Sequence, residues 1–157
     1  MMIKRNRYIV YACLMLATGA LLMLGACAGH RGSQAVPASP ADSAVLTAGE
    51  WQLTSLAGTH VSADAGVTLV FDEDGRLYGY SGCNNYFGTW QLKDGALTFG
   101  PMGSTKRACE EKAMRTEYEY FRTMTGVTRA LRGHDGSLVL APAADAPVQE
   151  SLVFIRK

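Results

Sequence analysis

The sequence SGCNNYF, residues 81–87, lies between two segments that are typical of β-strands, RLYGY at residues 76–80 and FGTWQL at residues 87–92. A short run of small and polar residues between two strands predicts a turn. This turn carries one cysteine, Cys83, which can be a reactive thiol, a metal ligand or one half of a disulfide. The compartment in which the protein resides decides between these roles, because disulfides persist in oxidising environments.

The amino-terminal sequence predicts export. Lys4, Arg5 and Arg7 precede an almost wholly apolar stretch at residues 8–24, and a basic head before an apolar core is typical of a secretory signal. The alternative is a retained anchor helix, because about 17 apolar residues lie at the lower limit of a membrane span. The next residues, LGAC at 24–27, resemble a bacterial lipobox, which favours cleavage before Cys27 and attachment of lipid to its thiol.

Resemblance to lipoproteins of Gram-negative bacteria also implies a location. Ala28, not an aspartate, follows Cys27, which implies sorting to the outer membrane with the domain facing the periplasm. Acyl chains such as palmitate would then hold the protein at the membrane without spanning it. We therefore predict a signal peptide at residues 1–26, a lipidated cysteine and flexible tether at residues 27–47, and one domain at residues 48–157. The tether is rich in Ala, Ser, Gly and Pro and has too few large apolar residues to fold.

The charge of the mature chain argues against one class of partner. The chain has 15 Lys and Arg and 14 Asp and Glu. Removal of three basic residues with the signal leaves 12 against 14, a formal charge of −2. A slightly acidic domain without basic clusters is a poor candidate for binding nucleic acid.

Three Asp-Gly pairs predict three β-hairpins in the domain. Asp74-Gly75, Asp94-Gly95 and Asp135-Gly136 each lie between strand-like sequences, and Asp-Gly is a strong hairpin signal because both residues tolerate positive φ. Residues 50–58 predict an opening strand and residues 151–157 a closing strand.

One segment, residues 109–126, has a helical period instead. Met114, Tyr118, Phe121 and Met124 recur at spacings of four, three and three, which predicts an apolar stripe on a helix. We expect the stripe to pack on the sheet; the alternative is a face that binds a partner. The predicted fold is therefore α+β: a small, curved, mostly antiparallel β-sheet, partly barrel-like, with one α-helix packed against it.

Cys83 and Cys109 remain in the mature domain, and in an oxidising compartment a disulfide between them is favoured over free thiols. Such a bridge would join the helix to the sheet and contribute about 3 kcal/mol to stability. A redox site usually has the motif Cys-x-x-Cys, which the sequence lacks, so a redox role for Cys83 is not favoured. A zinc site needs about four ligands, and only His60 and His134 could supplement the two cysteines. We expect no metal and no cofactor.

Two segments resemble catalytic or phosphate-binding motifs, but neither motif is complete. Residues 79–83 resemble a nucleophile elbow but have Cys83 where the second glycine is required, and residues 100–107 break the phosphate-loop pattern. Glu117 is interpreted as a solvated or capping carboxylate. We therefore expect a protein that is not an enzyme.

Several motif residues run in order through the domain: Trp51; Gly82, Cys83 and Asn84; Tyr86 to Gly88; Thr105 and Cys109; and Glu117 with Phe121. This pattern resembles the META/HslJ family. The resemblance implies a small β-rich α+β domain, often exported and associated with heat shock or antibiotic tolerance. The family has no established catalytic activity, so the resemblance implies structural roles for Trp51, Gly82, Asn84, Gly88, Thr105, Glu117 and Phe121.

Elementary chemistry suggests why some of these residue types occur. Gly82 permits a backbone turn that other residues resist, and Asn84 can bond nearby backbone groups and tolerate a left-handed conformation. Thr105 can satisfy loop amides ahead of the helix. The alternative for Asn84 and Thr105 is a polar ligand site.

Two functions are considered. The leading hypothesis is a non-enzymatic outer-membrane lipoprotein that supports envelope integrity, stress tolerance or antibiotic tolerance by binding an unidentified envelope protein. The alternative is a periplasmic carrier that holds a small apolar ligand inside the curved sheet. In that case a cavity would be lined by Leu69, Phe71, Leu97, Phe99 and Leu140.

Overall fold

The computed structural model describes residues 38–157. The predicted signal peptide, the lipidation site Cys27 and the first part of the tether lie outside the described residues. The described part confirms the predicted α+β class, with a mostly antiparallel sheet and one long helix. The strands are β1 (Ala38–Pro40), β2 (Glu50–Leu56), β3 (Thr59–His60), β4 (Thr68–Phe71), β5 (Arg76–Tyr80), β6 (Asn85–Lys93), β7 (Ala96–Phe99), β8 (Gly103–Ser104), β9 (Arg129–Gly133), β10 (Leu138–Ala141) and β11 (Leu152–Arg156). The helices are α1 (Ser43–Leu46) and α2 (Glu111–Met124), with 3₁₀ turns at Ala63–Ala65 and Val148–Glu150.

The sheet order is β1-β9-β10-β11-β2-β4-β5-β6-β7, with β3 paired to β2 and β8 paired to β6. The three predicted hairpins are confirmed as the antiparallel pairs β4–β5, β6–β7 and β9–β10. In the β6–β7 turn, Asp94 and Gly95 both have positive φ, at 51° and 75°. This is the conformation that suits a two-residue hairpin connection.

The sheet curves but does not close into a full barrel. At the open seam, Leu97 N in β7 donates to Thr128 O just before β9, at 2.9 Å. Arg129 Nη1 donates to Gly95 O, also at 2.9 Å. The β7 edge therefore approaches β9 without forming a ladder with it in the described sheet.

The structure corrects the predicted boundary of the tether over residues 38–47, which we call the strap. β1 pairs with β9, and Ala41 N donates to Ala130 O at 2.9 Å. Leu46 at the end of α1 is fully buried, and its carbonyl accepts the indole N–H of Trp51 at 2.9 Å. One buried leucine and a short β-bridge therefore hold a segment whose composition predicts disorder.

The interior is a packed apolar core. Leu69, Leu97 and Leu140 are fully buried within it. The Phe71 ring meets the Trp90 ring edge-on at a centroid distance of 5.2 Å and stacks on the Phe99 ring at 6.4 Å. The five positions that the carrier hypothesis assigns to a cavity wall thus pack as part of the core.

The predicted apolar stripe of the helix is only partly correct. Met124 is fully buried and Phe121 is partly buried against the core, as expected. Met114 and Tyr118, in contrast, are 44% and 66% exposed. The fully buried aromatic residue of α2 is Tyr120.

The reason for this error is the acid on the inner side of α2. The side that faces the sheet includes Glu117, Tyr120 and Met124, at spacings of three and four. Because a core-facing position is occupied by a glutamate, the apolar residues alone indicate a stripe that is rotated away from the true one.

The strap gives the first prediction. Leu46→Ala should lower the free energy of unfolding by about 2–5 kcal/mol, because it removes a fully buried side chain from the core. Val45→Ala is the matched control, since Val45 is only partly buried, and it should cost distinctly less. Urea unfolding followed by tryptophan fluorescence measures both. Equal, small losses would contradict the assignment of the strap to the folded domain.

Candidate functional site

The β5–β6 turn, the segment before α2 and the first half of α2 meet at a cluster of polar groups, here called the polar junction: Ser81, Asn84, Thr105, Arg107 and Glu117. Glu117 is at its centre. Its Oε2 accepts from Asn84 N and its Oε1 from Asn84 Nδ2, both at 3.0 Å. The Ser81 hydroxyl also donates to Oε2. Both carboxylate oxygens of Glu117 are therefore bonded to the β5–β6 turn.

Asn84 connects this turn to the segment before α2. The side chain is almost completely buried. Its Oδ1 accepts from Thr105 Oγ1 at 2.9 Å and from Arg107 N at 2.8 Å. Arg107 Nη2 also donates to Cys83 O at 2.9 Å. The Asn84 side chain thus joins the β5–β6 turn to the segment before α2, about 20 residues further along the chain.

The turn itself is held by Ser81 and Gly82. Ser81 N donates to Asn84 O at 2.9 Å, and Ser81 is fully buried. Gly82 has a φ of +97°, which confirms the predicted need for glycine. Asn84 does not have a positive φ, so it does not use the left-handed conformation that asparagine tolerates. Its side chain does bond nearby backbone, at Arg107 N and Arg107 O.

Two other predicted roles need correction. Thr105 does not accept from loop amides through its hydroxyl: it donates to Asn84 Oδ1, and its own amide donates to Asn85 O at 3.0 Å. Glu117 is neither a solvated carboxylate nor a helix cap, because it bonds the turn from the middle of α2.

A disulfide closes the same region covalently. Cys83 in the turn is joined to Cys109, two residues before α2 begins, as predicted. The bridge spans 26 positions of sequence. A loop of this size contributes about 3 kcal/mol in the chain-entropy model. The start of α2 is therefore attached to the sheet by one covalent link and by the polar junction beside it.

An aromatic layer lies next to the junction. Tyr86 Oη donates to Thr68 O at 2.8 Å and lies 2.6 Å from Tyr120 Oη. Because the Tyr86 proton is used on Thr68 O, Tyr120 is the donor in the phenol pair. Burial raises the pKa of both phenols, so both stay neutral at neutral pH. A Cβ at Gly79 would lie 2.1 Å from Thr68 O, so only glycine leaves room for this bond.

The remaining motif residues make other contacts. Trp51 is buried in the core and bonds Leu46 O. Gly88 lies against Met102, whose Cγ would be 3.0 Å from an added Cβ. The Phe121 ring meets the Tyr86 ring edge-on at 5.5 Å. Trp51 therefore holds the strap, and Phe121 packs in the aromatic layer beside the junction.

The geometry of the junction is that of a structural element. In residues 38–157 every buried side-chain nitrogen or oxygen has a hydrogen-bond partner. No group of three or more His, Cys, Asp or Glu side chains within that range is arranged to hold a metal ion. Asn84 and Thr105, the alternative ligand site, bond each other and the surrounding backbone. Polar groups that are fully paired inside a protein fix a unique arrangement of the chain.

Comparison with known proteins then identifies the domain. The family model of the META domain matches residues 44–153. The chain belongs to the META domain family. The matched region begins inside the strap, at α1, in agreement with the corrected boundary.

The chain is also similar to solved structures. The chain is 31% identical to a protein from Burkholderia xenovorans determined by NMR, with a TM-score of 0.56, covering 82% of this chain and 97% of that one. A crystal structure of a DUF4847 family protein from Bacteroides vulgatus ATCC 8482 shows 16% identity and a TM-score of 0.49, covering 71% of this chain and 94% of that one. No curated protein shows significant similarity.

Within residues 38–157, no helix is both long and apolar enough to cross a bilayer.

Sequence reasoning missed several residues of the META domain site. Ser81 and Arg107 carry no motif signal of their own, and the Tyr86–Tyr120 bond joins residues 34 positions apart. One signal was available: Glu117 lies four residues after Ala113 and three before Tyr120, in the middle of an otherwise apolar helix side. An acid in that position predicts a buried hydrogen-bonded carboxylate.

The role of Glu117 is testable. Glu117→Gln should lower the free energy of unfolding by about 1–3 kcal/mol, because the amide nitrogen of Gln cannot accept and leaves a buried donor unpaired. Glu111→Gln is the matched control: the same change on the same helix, at an 85% exposed carboxylate paired with Arg115, should cost about 0.5 kcal/mol or less. Urea unfolding at pH 7 with the disulfide intact measures both. If the two variants lose the same stability, Glu117 does not hold the junction.

Proposed function

We propose that this META-domain protein is a non-enzymatic lipoprotein of the outer membrane that binds an envelope protein in the periplasm and thereby supports envelope integrity or tolerance of stress or antibiotics. The observation that carries the proposal is the combination of a lipobox-like sequence ending at Cys27 with a domain closed by the Cys83–Cys109 disulfide. Both features belong to exported proteins.

The spacing between the lipid site and the fold supports a membrane-associated domain. Ten residues, 28–37, lie between Cys27 and β1. Ten residues span at most about 36 Å when fully extended. A lipid on Cys27 would therefore keep the domain within roughly one domain diameter of the membrane surface.

Binding, not catalysis, is favoured by how the polar groups are used. The Glu117 carboxylate and the Asn84 side chain are bonded to the protein itself. Tyr78 and Phe87, which are neighbours across β5 and β6, are 47% and 64% exposed. Adjacent exposed aromatic side chains are typical of surfaces that contact another molecule.

Lipidation is tested in a Gram-negative host that expresses the full chain in the presence of an alkyne analogue of palmitate. We expect labelled protein in the outer-membrane fraction of a sucrose gradient. Cys27→Ala should abolish the label, because it removes the thiol that accepts lipid. Cys13→Ala is the matched control: it changes a cysteine of the apolar segment and should leave the label intact. Label that persists in Cys27→Ala would overturn the proposal.

A further inference from the structure

A groove of about 890 Å³ runs between β3 and α2, on the side of the helix away from Met114 and Tyr118. We call it the β3–α2 groove. One wall is formed by β3 and the 3₁₀ turn that follows it, and the other by one side of α2 from Lys112 to Arg122. The first wall includes His60, Val61 and Asp64, and the second includes Lys112, Ala113 and Thr116.

The β3 wall presents free backbone groups. β3 pairs with β2 with His60 opposite Ser55, and Val61 N donates to Thr54 O at 2.9 Å. In an antiparallel pair the bonded and non-bonded positions alternate. Because Val61 and Thr54 form a bonded pair, His60 and Ser55 form a non-bonded one. The N–H and C=O of His60 therefore point away from β2, along the open edge of β3.

The walls carry few unpaired charges. Arg115 is paired with Glu111 and Arg122 with Glu119 along α2. Lys112 on the helix and Asp64 on the 3₁₀ turn both line the groove and form none of the salt bridges found in residues 38–157. Glu110, just before the helix, also lines the groove and forms none of these salt bridges. Unpaired charges of both signs, two acids and one base, suit a polar segment without strong net charge.

The helix wall is fixed before any ligand arrives. The Cys83–Cys109 bridge and the bonds of Glu117 attach the first half of α2 to the sheet. Gly82, which lies in the turn bonded by Glu117, also lines the groove. A wall that does not have to be ordered on binding lowers the entropic cost of association.

We propose that the β3–α2 groove binds an extended peptide segment of the envelope partner, which adds to the open edge of β3 as a further strand. This inference rests on the proposed partner-binding function. The His60 N–H and C=O bond one residue of the peptide, and alternate peptide side chains face α2 near Ala113 and Thr116. Addition of a strand to an exposed sheet edge beside a helix is an established mode of peptide recognition.

A pair of substitutions at one position tests the backbone contact. Random 12-residue peptides displayed on phage are selected against the full chain in mild detergent, and the selected peptides are synthesised. We expect His60→Ala to change their Kd by less than about threefold, because the backbone donor remains. His60→Pro should weaken binding at least about tenfold, because proline has no N–H and its ring obstructs the edge. Since the His60 amide is outside the β2–β3 ladder, the proline variant should still fold, which its thermal unfolding checks.

The peptide provides a test that is independent of folding of the variant. N-methylation of successive peptide amides should abolish binding at one position and spare its two neighbours, because only alternate amides of a strand face the edge. Several outcomes would overturn the inference: no enriched peptides, equal affinity of the alanine and proline variants, uniform tolerance of N-methylation, or self-association of the chain that depends on the His60 amide.

Photo-crosslinking in cells separates this inference from the function on which it rests. A benzophenone amino acid is placed at Thr116 in the groove or, as a matched position outside it, at Phe87. Adducts from Thr116 that disappear with His60→Pro and persist with His60→Ala would support the inference. Adducts from Phe87 alone would overturn the groove but leave partner binding standing. Adducts from neither position would overturn both.

Discussion

The Glu117 carboxylate reaches from the middle of α2 into the β5–β6 turn, and the arrangement of the helix on the sheet depends on this contact. Glu117 is only partly buried, but the groups that bond it, Ser81 and Asn84, are buried. A buried donor that loses its acceptor costs free energy. Ser81 and Asn84 supply those donors from a turn that needs Gly82 to form. The helix can therefore dock in one rotation only, which is the rotation that places Glu117 over the turn.

The two halves of α2 are held by different forces. Tyr120 and Met124 in the second half are fully buried in the core, so burial of apolar surface holds that end. The first half has little apolar contact of its own, and the disulfide and the polar junction take over there. The outer side of this half leaves Met114 and Tyr118 exposed. The inner side forms a groove wall that stays in place without a ligand.

The strap lies along the open edge of β9. A curved sheet that does not close leaves unpaired backbone groups, and these invite association with other chains. β1 pairs with one part of that edge. Just before β9 begins, Thr128 O accepts a hydrogen bond from Leu97 N in β7. The strap is held by the burial of Leu46 and by the pairing of β1 with β9. A lipid at Cys27 would join the protein next to this strap.

Much of this fold was readable from the sequence, and the failures have physical causes. The hairpins were predicted because Asp-Gly turns are specified locally. The Cys83–Cys109 bridge was predicted because two cysteines in an oxidising compartment, which the amino-terminal sequence predicts, favour a disulfide. The strap was missed because its ten residues are mostly small or polar, with only Val45 and Leu46 as larger apolar side chains, and therefore resemble a linker. The helix side was misread because Glu117 occupies a position that amphipathic patterns reserve for apolar residues. The bonds among Ser81, Asn84, Thr105 and Arg107 depend on tertiary approach, which no local pattern encodes.

The central claim is that the Glu117–Asn84 contact is part of the cooperative fold. Hydrogen exchange of the Asn84 backbone amide, followed by NMR in the full chain, tests it most directly. This amide donates to Glu117 Oε2 from a turn, not from a strand ladder. If the contact is part of the cooperative fold, this amide exchanges as slowly as the Leu53 amide, which donates to Val67 O. Exchange at the rate of an exposed turn amide such as that of Gly95 would contradict the claim.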